Sequence, residues 1–292
     1  MTMYYGIYSN DSRDTGYQVA KRTAEIILAC GGTPVFAKEF EGEFEAPEGT
    51  VFENFTKLPL KTVISIGGDG TFLSVVEKYR ELDTEFVGVN KGSIGFLTEI
   101  NVDDLEKDIT ALVKGNYKIL ERTQLEVQVF SKDGTLKGTE ECLNDIMIVR
   151  GAKPHVTKLT LSIDGQKIER FHGDGLIIAT ATGSTAYSLA AGGPLLMPSM
   201  KDIIVTPICS HTFNGFTYVT GSDSVVRIDL DDFESAPMIC PDGRSFVDLE
   251  PFDYIIIKRY SRVLKTVTIK NDNFFSNVRK KIVQRGSFYE DR

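Results

Sequence analysis

A chain of 292 residues with 41% hydrophobic and 25% charged content is long enough for two soluble cores, and no run in it approaches the ~20 apolar residues of a membrane span. Its net charge of −8 excludes a nucleic-acid binder that works through a broad basic face. A polyanionic ligand must then be held by backbone amides, by a few Lys or Arg side chains, or by a metal ion. The opening "MTMYYGIYSNDSRD" has neither a basic nor an apolar signal region, and the four scattered cysteines and three histidines form no zinc pattern. A cytoplasmic protein with reduced thiols is expected, with no nucleic-acid and no membrane partner.

The first third alternates strand and helix. "YYGIYS" reads as a strand, and "TPVFA" as a second. Between them a helix is expected from about Tyr17 to Gly31, with Val19, Ala20, Ile26, Ile27 and Ala29 as its apolar set. Glu39 to Leu60 is acidic and carries Pro47, Gly49 and Pro59, which predicts a loop. "TVISI" and "EFVGVN" are further strands, separated by helical spacing at Phe72, Leu73, Val75, Val76 and Tyr79 and followed by a helix from Val102 to Lys114. Such alternation implies a Rossmann-like α/β domain with a parallel sheet wrapped by helices.

After about Tyr117 the texture changes. "LEVQVFSKDGTLKGT" and "KLTLSIDGQKIERF" each set Asp-Gly between alternating apolar and polar residues, the signal of a β-hairpin. "SVVRIDLDD", "DYIIIKRY" and "TVTI" continue the period of two, which points to an antiparallel β-sandwich. The expected division is an α/β domain over residues 1–116, with a helical 272–292 packing back on it, and a β-rich domain over 117–271.

One stretch, "TVISIGGDGTFLSVVEKY", turns from strand to helix through Gly67, Gly68 and Gly70 around a single charged side chain, Asp69. Glycines there permit positive φ and a close approach, and the N–H groups at a helix start suit phosphate. A carboxylate beside phosphate is repulsive, so Asp69 is expected either to hold a metal ion or to contact a hydroxyl. A kinase needs a carboxylate next to phosphates and facing a sugar hydroxyl. The Walker A, HRD and DFG sequences are absent, whereas GGDGT would arise at a given start by chance roughly once in a million.

GGDGT resembles the signature shared by NAD kinases, diacylglycerol and sphingosine kinases and phosphofructokinases. "GVNKGSIGFLTE", "LNDIMIVRG", "GDGLIIATATGSTAYSLAAGGPLL" and "TPICSHTF" then resemble NAD kinase motifs in that family's order. The resemblance implies an NAD kinase that phosphorylates the 2′-hydroxyl of the adenosine ribose of NAD to give NADP, with Asp69 as general base. It implies Gly67, Gly68 and Arg150 on the donor phosphates. For NAD it implies Gly70, Phe96, Asn144, Asp145, Asp174, Thr182, Ser184, Thr185, Ala186 and Tyr187. The donor would be ATP, another nucleoside triphosphate or polyphosphate, carrying Mg2+ with few protein ligands, and the assembly a homodimer or homotetramer.

Read as residues, Asn144 donates and accepts, which suits a base edge, while Asp145 only accepts, which suits ribose hydroxyls. Lys153 and Arg244 could meet phosphates or be surface charges, and His155, His172 and His211 read as structural. Three departures from the family pattern stand out: Ala181 where proline is common, Ala190 for a second serine, and Phe216-Thr217 where Arg-Pro is usual. A lipid kinase and a non-catalytic NAD or NADP sensor are the alternatives. The first does not account for "LND" or "TGSTAYSLAAGGP", and Asp69 speaks against the second.

Overall fold

The computed structural model of the chain describes residues 3–91, 95–151, 155–211 and 215–270, together with 274, 275, 277–279 and 281. Lys153, most of the C-terminal segment and Gly92 of the quoted "GVNKGSIGFLTE" lie outside the described residues. The chain forms two compact units: residues up to Leu120 with those from Lys265 onward, and Glu121–Leu264.

The first unit is a parallel sheet with helices. Its strands are β1 (Tyr4–Ser9), β2 (Thr33–Ala37), β3 (Val51–Glu53), β4 (Leu60–Gly67), β5 (Glu85–Asn90) and β6 (Ile100–Asn101). The order is β3-β2-β1-β4-β5, every pairing is parallel, and β6 pairs with the end of β5. From Thr62 to Gly67, β4 is buried throughout, as a central parallel strand covered on both faces must be. The helices are α1 (Gln18–Ala29), α2 (Asp69–Lys78) and α3 (Leu105–Val113). Helix α1 buries Val19, Ala20, Thr23, Ala24, Ile26 and Ile27 at helical spacing. It stops where Gly31 takes φ of +82° and the Gly32 amide returns to the Ile27 carbonyl.

The expected loop over Glu39 to Leu60 is partly structured. Val51–Glu53 forms β3 at the sheet edge, in parallel register with Val35 to Ala37. Three residues between Gly49 and Asn54 are too few to show a period, so the sequence pattern had nothing to report. What holds the segment is aromatic. Phe52 stacks on Phe36 at 5.6 Å, and Phe55, fully buried, lies 4.7 Å from the Tyr79 ring.

The second unit is antiparallel. It comprises β7 (Lys118–Phe130), β8 (Leu136–Cys142), β9 (Asp145–Val149), β10 (Thr157–Ile163), β11 (Gln166–Gly173) and β12 (Gly175–Ala179). Then follow a short α4 (Tyr187–Ala190), β13 (Ile203–Ile208), β14 (Tyr218–Thr220), β15 (Val226–Leu230), β16 (Met238–Pro241) and β17 (Tyr254–Thr268). The first residues of β7 and the last of β17 belong to the first unit. One sheet runs β11-β10-β15-β17-β7-β8 and the other β14-β13-β12-β9-β16. Between their inner faces lies one apolar core, with Leu125, Val127 and Ile255 from the first sheet meeting Ile146, Ile148, Ile178 and Val205 from the second. This is a β-sandwich. The β10–β11 hairpin turns through Asp164 and Gly165, both at positive φ, the geometry that its Asp-Gly predicts. Among the described residues no helix is long and apolar enough to cross a membrane.

Phe55→Ala should cost about 3–5 kcal/mol in chemical denaturation. A loss below about 1 kcal/mol would show that Glu39 to Leu60 behaves as the loop its composition suggests.

Candidate functional site

In the first unit, β4 runs into α2 through Gly67 and Gly68. A Cβ on Gly67 would stand 2.4 Å from the Thr71 hydroxyl, so that glycine is required by packing. Gly68 and Gly70 are different, because a Cβ at either would meet nothing within 4 Å. Nor does Gly68, at φ −117°, need a positive angle, which corrects the conformational reason given for it above. The side that these two glycines leave bare opens outward. The first amides of α2, which have no acceptor within the helix, lie beside it.

Asp69 occupies the first turn of α2, half-buried. The sequence left its carboxylate a metal ion or a hydroxyl, and the structure adds a third partner. Oδ2 accepts the Phe96 amide at 2.8 Å and Oδ1 the Leu97 amide at 2.9 Å. Gly95 makes this possible, since a Cβ there would fall 2.3 Å from Asp69 Oδ1. Each carboxylate oxygen keeps a further lone pair. Among the described residues Asp69 makes no ion pair. The Phe96 ring carries Lys281 Nζ 5.4 Å from its centroid, and that amine also donates to the Gly95 carbonyl.

Sequence reasoning missed a buried carboxylate in this unit. Asp14 accepts the amides of Val19 and Ala20, the Ser9 hydroxyl at 3.0 Å and Lys91 Nζ at 2.8 Å. Burial would push its carboxyl up, but Lys91 and these hydrogen bonds outweigh it and hold Asp14 below the usual range. Lys91, the residue after Asn90 in "GVNKG", is thus fixed to the start of α1.

In the second unit, Asn144 and Asp145 lie in the turn from the end of β8 into the start of β9. Three groups hold this turn. Thr180 Oγ1 donates to the Leu143 carbonyl at 2.7 Å, and the Thr180 amide to the Asn144 carbonyl at 2.9 Å. Gly183 packs so tightly that a Cβ would be 2.1 Å from the Asn144 carbonyl oxygen. From the other side, Asp242 accepts the amides of Leu143, Asn144 and Asp145 at 2.8, 2.8 and 3.3 Å.

The "TGSTAYS" segment follows β12. Thr182 is buried and receives Arg122 Nη1 at 3.3 Å, while Thr185 Oγ1 returns to the Thr182 carbonyl. Ser184 is fully buried, donating to the Ala181 carbonyl at 2.7 Å and accepting the Leu196 amide at 3.1 Å. Its hydroxyl supports the segment from within. Ala186 is half-buried and Tyr187 exposed. Asp174 and Arg150 lie at the opposite end of the β9–β12 ladder, where Gly175 faces Val149, while Asp145 faces Ala179. Four residues of strand, about 13 Å, separate the two ends. Arg150 Nε stands 3.5 Å from Asp174 Oδ1. Cys209, exposed at φ +45°, and His211, whose amide donates to the His172 carbonyl, belong to the turn after β13.

Asp145 is 5% exposed. Loss of water, then the nearby negative charge of Asp242, push its carboxyl up to about 7. Its folded pKa lies above its unfolded one, so between pH 4 and 7 the folded state binds more protons and stability falls as pH rises. Asp145→Asn should therefore raise the melting temperature at pH 8, where the buried charge is present, and change it little at pH 4.5. Equal shifts at both pH values would refute the buried charge.

Two family models cover most of the chain: the ATP-NAD kinase N-terminal domain over residues 5–117 and the ATP-NAD kinase C-terminal domain over residues 143–269. An NAD kinase of Caldanaerobacter subterraneus subsp. tengcongensis is 33% identical over 96% of this chain and 99% of its own length. Another, from Caldicellulosiruptor bescii, is 35% identical with the same coverages. Among solved structures, yeast NADH kinase complexed with NADH superposes with a TM-score of 0.86 at 23% identity, over 97% of this chain and 87% of that one. An NAD kinase from Archaeoglobus fulgidus in complex with ATP gives 0.71 at 22% identity, over 97% and 99%. Those two likenesses are of fold. The matched domain models and the identity to relatives of full length decide the family, and the chain belongs to the NAD kinases.

Proposed function

We infer that the protein transfers a terminal phosphoryl group to the 2′-hydroxyl of the adenosine ribose of NAD, giving NADP. The observation that carries this reading is Asp69, held by two amides at the head of a helix whose glycines leave one side bare. A carboxylate so fixed has no rotamer search to make before it acts, which lowers the entropy cost of reaching the transition state. As the 2′-oxygen bonds to phosphorus, its proton passes to a free lone pair of Asp69, and the bond from phosphorus to the bridging oxygen of the donor breaks. The α2 amides and the open face at Gly68 and Gly70 suit the phosphates in transit. Solved relatives described as bound to NADH and to ATP support a dinucleotide acceptor and a nucleoside triphosphate donor, with polyphosphate as the other candidate. Magnesium would enter as part of that donor, screening its charge; Asp69 offers it one carboxylate, and among the described residues no set of three acidic, His or Cys side chains gathers.

For NAD, Asn144 takes a base edge and Asp145 the ribose hydroxyls. Thr182, Thr185 and Ala186 give a close backbone surface, Tyr187 an exposed ring, and Phe96 a half-buried one. Ser184 acts by holding its segment. Arg150 would meet a phosphate only by releasing Asp174. The family resemblance carries the expectation of a homodimer or homotetramer in the cytoplasm.

Incubation with NAD, ATP and Mg2+ should yield NADP. Asp69→Asn should lower kcat by about 10^2- to 10^4-fold while the KM for NAD stays within a few-fold. Turnover unchanged in that variant would remove Asp69 from the role of base.

A further inference from the structure

Asp242 touches none of the residues assigned above to the donor, yet it is the acceptor on which the NAD turn is built. It follows β16 at φ +44°, with Gly243 at +78°, the same left-handed Asp-Gly turn as at Asp164–Gly165. Its carboxylate collects three consecutive amides, and its own amide returns to the Asp145 carbonyl at 2.9 Å. Three amides converging on one carboxylate leave little freedom in the direction of Asn144 and Asp145.

Resting on the reading that Asn144 and Asp145 hold NAD, we propose that Asp242 is a positioning residue for the dinucleotide, fixing the turn and setting a negative charge beside Asp145. Burial pushes the Asp242 carboxyl up as well, but its three amide donors oppose the shift. Among the described residues Asp145 has no such donor, and it is the member of the pair that takes the proton. Asp145 then carries the proton in the free protein, as its elevated carboxyl agrees. Other charged or titratable groups on the surrounding elements are Glu140 and Cys142 of β8, Cys240 and Arg244 flanking the turn at Asp242, and Arg122 of β7. Of these, Glu140 adds to the negative field at Asp242, and burial, then the negative field of Asp242, keeps Cys142 a neutral thiol. Ribose hydroxyls donate, and a carboxylate accepts them better than a carboxyl does. NAD binding near neutral pH is therefore coupled to the release of a proton.

Calorimetric titration of the full chain with NAD, in two buffers of different ionisation enthalpy, counts that proton. Wild type should release a substantial fraction of one proton at pH 6.5 and almost none at pH 8.5. Asp242→Asn keeps the size of the side chain but turns an NH2 toward one of the three amides. It should weaken NAD affinity and raise the KM for NAD by about 10- to 100-fold, with the KM for ATP within about 2-fold and the pH dependence of NAD affinity displaced downward. Unchanged NAD affinity and proton count would overturn the proposal, as would KM values for NAD and ATP that rise together. Should Asp242→Asn fail to fold, Asp242→Glu keeps the charge and moves it by one methylene, and NAD affinity equal to wild type there would overturn it equally. Asn144→Ala separates the two readings. If that variant binds NAD normally, the turn does not hold the dinucleotide and both fall; if it binds weakly while Asp242→Asn binds normally, only the role of Asp242 falls.

Discussion

A carboxylate withdrawn from water is costly without donors, and several in this chain take theirs from the main chain. Asp14 takes two amides at the start of α1, Asp69 two from residues 96 and 97, Glu99 two from Ile269 and Lys270, and Asp242 three from the β8–β9 turn. Side-chain cations alone could not serve, with 33 Lys and Arg against 41 Asp and Glu. Each acid joins stretches that are distant in sequence, 27 residues apart for Asp69 and Phe96 and 98 for Asp242 and Asn144. The sheets bring the segments near, and the acids then fix the loops.

Much of the fold was legible because it rests on local patterns. Central β4 reads as an unbroken apolar run, α1 as a 3.6-residue stripe, and the Asp164–Gly165 turn as a dipeptide whose conformation follows from its residues. Strand β3 was not legible, since its three residues gain their place from β2 and the Phe36 ring, elsewhere in the chain. The same distinction runs through the site. Asp69 stands out in sequence as the one charge among glycines, whereas its amide partners do not, because every residue but proline has an N–H. Asp242 had a faint signal, an Asp-Gly like those of the two hairpins, but nothing local says that its carboxylate faces residues 143–145. Asp14 with Lys91 had none.

The small residues of "TGSTAYSLAAGG" teach a related lesson. Their run suggests a ligand lying against backbone, but Gly183 is required by the Asn144 carbonyl and Gly193 by Ser188, whose Oγ would lie 2.3 Å from a Cβ. Ser188 and Thr206 exchange a buried hydroxyl contact at 3.0 Å. Protein packing accounts for these positions first, and the surface left over is what a dinucleotide could use. Asp145 is the counterexample. Neither packing nor stability calls for a second carboxyl beside Asp242, which supports the ligand role proposed for Asp145.

The strap on Asp69 has a genetic consequence. Because Phe96 and Leu97 hold the carboxylate through their amides, the hold does not depend on their side-chain chemistry and proline alone would delete a donor, although Leu97 is also tied to the core by burial. The ring at 96 can therefore drift through many alternatives in descent, altering what the loop touches while the aspartate stays where it is. Gly95 has no such latitude, since any Cβ there collides with the oxygen being held.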